Sequence, residues 1–246
     1  FSDLVALFQH FTVPEALKAE IAKTRGDLRD ENLLAQLAVQ FGQSTGRYGA
    51  LRDAIGRVVD GAWRRWSPTP HDYANAVEAH DRGAVLVAAV FDAFLDVYRA
   101  RSADLIRLAT AGTGVLPTGA IPVDLVNRLA AEAGAVAGEI LQMCIRALDY
   151  CAPVDITFSD YLRALVTADL DVSGESRRDH RLAIVAAFRA RGIFPKGVRQ
   201  LSVQTLAWEP PPIPLPKLEE LIAHLEEELK SRWSLHTARE DVWRSS

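Results

Sequence analysis

Apolar residues recur at helical spacing along most of this chain, and alternating, strand-like patterns are scarce. Leu4, Leu7, Phe8 and Phe11 form one stripe that ends near Thr12-Val13-Pro14. Pro14 suits the first turn of a second helix over 14–23, with Glu15 close to its positive end. Leu33, Leu34, Leu37 and Phe41 repeat the pattern over 31–43, and 51–66 is amphipathic at helical period until Ser67-Pro68-Thr69-Pro70 stops it. A long helix is expected over 80–108, apolar nearly all round in its first half, as befits the centre of a bundle. Another is expected over 123–150. Thr157 with Asp160 reads as a capping box opening 158–169, and 178–191 is closed by Gly192 and then Pro195. The segment 201–206 is the one expected strand. Pro210-Pro211-Pro212, with Pro214 and Pro216, reads as a stiff linker before an acidic helix over 218–233. The pattern therefore predicts an all-α multi-helix bundle over 1–207, followed by a linker and helical extension over 208–246.

Composition narrows the function classes. The 246 residues are 49% apolar and 24% charged, which is ordinary for a globular protein. A net charge of −4 and a pI near 5.9 argue against a nucleic-acid partner held through phosphate contacts. The longest apolar stretch, 84–95, is interrupted by Asp92 and is too short to span a bilayer, so no membrane partner is expected. Cys144 and Cys151 lie on or just past one expected helix, where two separate thiols fit better than a disulfide. The opening Phe1-Ser2-Asp3-Leu4-Val5-Ala6-Leu7-Phe8 reads as the middle of a buried helix, with no initiator Met or signal sequence ahead of it. The chain is accordingly expected to be part of a longer parent protein.

Three residues are candidates for chemistry. His80 stands at the start of the long apolar helix, where the helix dipole disfavours an added proton and a neutral imidazole can hydrogen-bond developing negative charge. Its bland alternative is a capping histidine. Arg52, after a glycine-containing stretch, could direct a guanidinium at a carbonyl or oxyanion, or be an ordinary surface arginine. Asp3 is a carboxylate among apolar neighbours, suited either to a salt bridge or to bracing a metal-ligating histidine. The run Asp169-Leu170-Asp171-Val172-Ser173-Gly174-Glu175 starts like a calcium loop, but His180 stands where a bidentate glutamate belongs, and a polar helix–helix connection is the expected reading. Cys144 has no evident base, and His224 and His236 read as surface residues.

Phe1-Ser2-Asp3-Leu4, Ala50-Leu51-Arg52-Asp53-Ala54 and His80-Asp81-Arg82-Gly83 resemble, in order and spacing, segments of the thermolysin-like zinc metallopeptidases, the gluzincin group. The resemblance covers roughly residues 1–100. It implies that Asp3 supports a zinc-bound histidine, that Arg52 binds the substrate carbonyl, and that His80 hydrogen-bonds the tetrahedral intermediate of peptide hydrolysis. It also implies zinc in the intact parent, with none expected in this chain, because the His-Glu-x-x-His segment and the zinc-ligating glutamate fall outside it. The aspartate that partners the histidine in that family is Asn75 here, with Glu78 or Asp81 as substitutes. On this reading the chain is the helical half of a metallopeptidase-like protein, silent alone, whose partners are the remaining N-terminal portion and a peptide substrate. The alternative is a non-catalytic helical structural or protein-interaction domain.

Overall fold

The computed structural model describes residues 1–29, 56–59, 62–174, 176–195, 197–198, 201–209 and 214–232. Contacts divide the chain into two units, Phe1–Trp208 and Glu209–Ser246. Arg52 and the helix expected over 31–43 lie outside the described residues.

The first unit is a helical bundle carrying one small hairpin. The stripe of Leu4, Leu7 and Phe8 folds as α1 (Ser2–Gln9), prolonged by a 3-10 turn, His10–Thr12, that buries Phe11. Pro14 occupies the first turn of α2 (Pro14–Thr24), which ends on Arg25 in the left-handed region. The apolar run starting near residue 80 forms α4 (Ala79–Ala109), buried almost continuously from Leu86 to Tyr98. It packs chiefly on α7 (Arg178–Ala190) and α5 (Val123–Arg146). One face of α5, including Leu129, Ala133, Val136, Ala137 and Ile140, is sealed in the core, and α2 lies against it. Its small residues let chains approach closely: a Cβ on Gly134 would stand 3.5 Å from the Phe11 carbonyl oxygen. A 3-10 turn, Ala147–Tyr150, follows α5, and Thr157 and Asp160 form the expected capping box at the head of α6 (Phe158–Ser173).

Gly192 ends α7 with φ +75°, and a Cβ there would fall 2.0 Å from the Pro70 carbonyl oxygen. This close approach joins the end of α7 to the loop that leads into the short α3 (Asp72–Asn75), whose Tyr73 amide donates to the Arg191 carbonyl at 3.1 Å.

Two sequence expectations are corrected. The described part of 51–66 is not helical: β1 (Gly56–Val59) pairs antiparallel with β2 (Ala62–Arg65), Val59 opposite Ala62. Asp60-Gly61 between them is the dipeptide that favours a two-residue hairpin connection. The strand expected over 201–206 is instead α8 (Val203–Leu206). Ser202 Oγ accepts from the Thr205 amide while Thr205 Oγ1 accepts from the Ser202 amide, a reciprocal cap that holds β-branched residues in a helical turn. The all-α expectation holds as a multi-helix bundle that carries one two-stranded hairpin, and nothing in it is specific to a thermolysin-like fold. In the second unit, α9 (Leu215–Arg232) is the acidic helix.

Candidate functional site

Two of the three sequence candidates, Asp3 and His80, lie among the described residues. Asp3 is half-buried in the first turn of α1, where its charge complements the helix dipole. His80 is exposed in the first turn of α4, with Asn75, Glu78 and Asp81 also exposed around it. α1 packs on both α5 and α4, and Phe8 meets Phe94 with ring centroids 5.6 Å apart. Among the described residues no group of three or more His, Cys, Asp or Glu stands close enough to hold a metal ion, so no zinc chemistry is derived from them. The calcium-loop reading fails on geometry, because Asp169 and Asp171 belong to α6, which continues to Ser173. Tyr150 donates to Asp171 at 2.7 Å. Both thiols are free, and burial pushes Cys144 up to about 12, which disfavours its thiolate.

What the bundle does bring together is a set of charges between four helices. Asp169 of α6 is almost fully buried and accepts from Arg181 Nη1 at 2.6 Å, with Arg177 Nη1 at 3.7 Å from its other oxygen. Beside Arg181 on α7, His180 places Nε2 2.9 Å from Glu139 Oε2 of α5, and Arg101 of α4 reaches the same oxygen at 2.9 Å. Sequence reasoning missed this group. The available signal was periodicity: the core face of α7 runs His180, Arg181, Ile184, Val185, Ala187, Phe188, with two ionisable residues at apolar positions.

Burial holds the His180 imidazole below its ordinary 6.5, aided by Arg101 and opposed by Glu139 and Asp169. Its Nδ1 is out of solvent and without a hydrogen-bond partner, a position that suits an unprotonated nitrogen. The unfolded chain therefore binds a proton more readily than the folded one just below pH 6.5. The His180 contribution to stability should be complete above that pH, fall as pH drops through it, and level off once the folded imidazole also protonates. Thermal melts of His180→Gln should show a flatter dependence on pH just below 6.5 than wild type.

A second feature is a solvent-open cleft of about 580 Å³ where the end of α2 meets the middle of α4. Arg25, Arg29, Arg99 and Arg107 line it, with Asp27 and the buried Leu28, Tyr98 and Ser102. Tyr98 donates to the Gly26 carbonyl at 3.0 Å, fixing the turn that presents Arg25.

The third feature is α9. Leu221, Ile222 and Leu225 are 54%, 47% and 49% exposed on a helix that also carries Glu219, Glu220, Glu226, Glu227 and Glu228. Leu215, Leu218, Ile222, Leu225 and Leu229 recur at alternating spacings of three and four, the period of a coiled-coil seam. No described helix is long and apolar enough to cross a membrane. No protein-family model, no curated protein and no solved structure matches the chain.

Proposed function

We propose that the chain is a non-catalytic helical interaction module, in which the bundle is the scaffold and α9 docks a basic amphipathic helix of a partner protein. The observation that carries this reading is the exposure of Ile222 and Leu225, two apolar positions of the seam of α9, among glutamates. An 18-residue helix gains little stability on its own, and a seam at coiled-coil spacing is buried by pairing with another helix. The flanks set the partner's charge. With Leu215 at the first position of the repeat, Glu219, Glu226 and Glu228 occupy the positions bordering the seam, so a second copy would set glutamate against glutamate. Lysines or arginines on a partner helix would meet them instead.

The test uses the full chain and a synthetic helix with an Ile/Leu seam bordered by lysines, followed by fluorescence anisotropy. The basic peptide should bind and its glutamate-bordered counterpart should not. Ile222→Asp/Leu225→Asp should weaken binding by about a hundredfold, from the loss of two buried side chains. Equal affinity for both peptides, or for the double variant, would overturn the reading. Self-association in sedimentation that excludes the peptide would overturn it in favour of a second copy.

The metallopeptidase reading is the rival, resting on the spacing of Asp3, Arg52 and His80 and on the place of His80 at the head of a long buried helix. It needs zinc near one equivalent in the intact parent, and loss of peptide cleavage there on His80→Ala.

A further inference from the structure

We infer that the cleft between the end of α2 and the middle of α4 binds a small amphiphilic anion, a carboxylate or phosphate on a short apolar body. The charge balance points to the head group. Four arginines line the cleft against one aspartate, Asp27, whose carboxylate already accepts the Arg29 amide at 2.9 Å. Arg29 is neutralised by Asp96 and Arg107 by Asp104. Among the described residues Arg25 and Arg99 have no carboxylate partner, since Arg25 donates to the Pro117 carbonyl.

The donors themselves are a second observation. The Nε atoms of Arg25 and Arg29 are shielded from water and have no hydrogen-bond acceptor. An unmet buried donor is costly, and the cost is relieved by an acceptor brought by a ligand. Guanidinium suits a carboxylate or phosphate because its N–H groups form a planar fork matching two oxygens. The rest of the lining points to the body: Leu28, Leu95, Ile106 and Leu116 give the cleft apolar walls. A volume of about 580 Å³ lies within the range of pockets that hold small organic molecules. Ser102 and Tyr98 spend their hydroxyls on the Arg99 and Gly26 carbonyls, so the arginines are left to recognise the ligand.

The test is titration of the full chain with the fluorescent sulfonate 8-anilinonaphthalene-1-sulfonate, in the Ile222→Asp/Leu225→Asp background so that the seam of α9 does not contribute. One saturable site is expected, displaced by octanoate or octyl phosphate and not by 1-octanol; the stronger of the two competitors identifies the head group. Arg99→Gln and Arg25→Gln should each weaken binding about tenfold, the worth of a charged hydrogen bond, with unchanged thermal melts. Arg128→Gln on the exposed face of α5 should leave it unchanged. Displacement by 1-octanol as effective as by octanoate, affinities unaltered in both cleft variants, or no saturable site would each overturn the proposal.

Discussion

Asp169→Asn should lower the unfolding free energy by about 3–5 kcal/mol, although it replaces one atom and keeps the side chain's shape. The carboxylate is about as buried as a side chain can be, with 1% of its surface exposed, and the Arg181 side chain opposite it is equally enclosed. Taking both charges out of water is expensive, and their mutual attraction at 2.6 Å offsets that cost only while both are present. The amide preserves a hydrogen-bond acceptor but removes the Asp169 charge from between Arg181 and Arg177 in a low-dielectric site. The loss is a large share of the 5–15 kcal/mol that typically holds a domain folded. Urea titration of the full chain reads it directly. The paired replacement Asp169→Leu/Arg181→Met should cost far less than the single change, because it removes both desolvation penalties together. If the pair were as damaging as the single change, packing rather than charge would be the cause.

The elements legible in the sequence are those where local pattern and tertiary burial agree. Leu4, Leu7, Phe8 and Phe11 all reach the core, the apolar run of α4 is buried as its all-round hydrophobicity demands, and Thr157 with Asp160 caps α6. Errors fell where two patterns compete. Around Val58 and Val59 a short apolar run fits helix or strand, and Asp60-Gly61 was the deciding signal. Around 201–206, β-branched Val203 and Thr205 suggested a strand, while the serine–threonine cap at Ser202 and Thr205 set a helical turn.

The sites were harder to read, for a physical reason. Glu139, Asp169, His180 and Arg181 come from three helices, and the arginines of the cleft come from the segment that follows α2 and from α4. No local spacing announces such groups. Asp3 and His80 belong to a reading whose third member, Arg52, lies outside the described residues, and each stands in the first turn of its own helix. The calcium-like run shows the limit of local spacing. Its first aspartate is an acidic ligand in a linear reading and the countercharge of Arg181 in the folded chain.

Phe94→Ala should cost about 3–5 kcal/mol and should loosen α1 before the rest of the bundle. Phe94 has no exposed surface and sits at the meeting point of four rings. Phe11 is 4.7 Å from it, Phe8 5.6 Å and nearly perpendicular, Phe91 5.7 Å, and Tyr98 6.4 Å. Removing the ring forfeits its own transfer free energy, the edge-to-face contact with Phe8, and the contacts lining the cavity it leaves. The consequences are unequal along the chain. Within α4, Phe91 and Tyr98 stay fixed by a helix packed on both α5 and α7. Phe8 and Phe11 lie on a short helix and a 3-10 turn, and lose a principal anchor to α4. Amide exchange over 2–12 should therefore accelerate under native conditions by more than global unfolding explains, while α5 and α6 keep their relative protection. Phe94→Leu, which fills part of the volume, should cost less and restore much of the α1 protection. Uniform acceleration across all helices would show instead that α1 folds as one unit with the bundle and that the ring cluster is part of a single cooperative core.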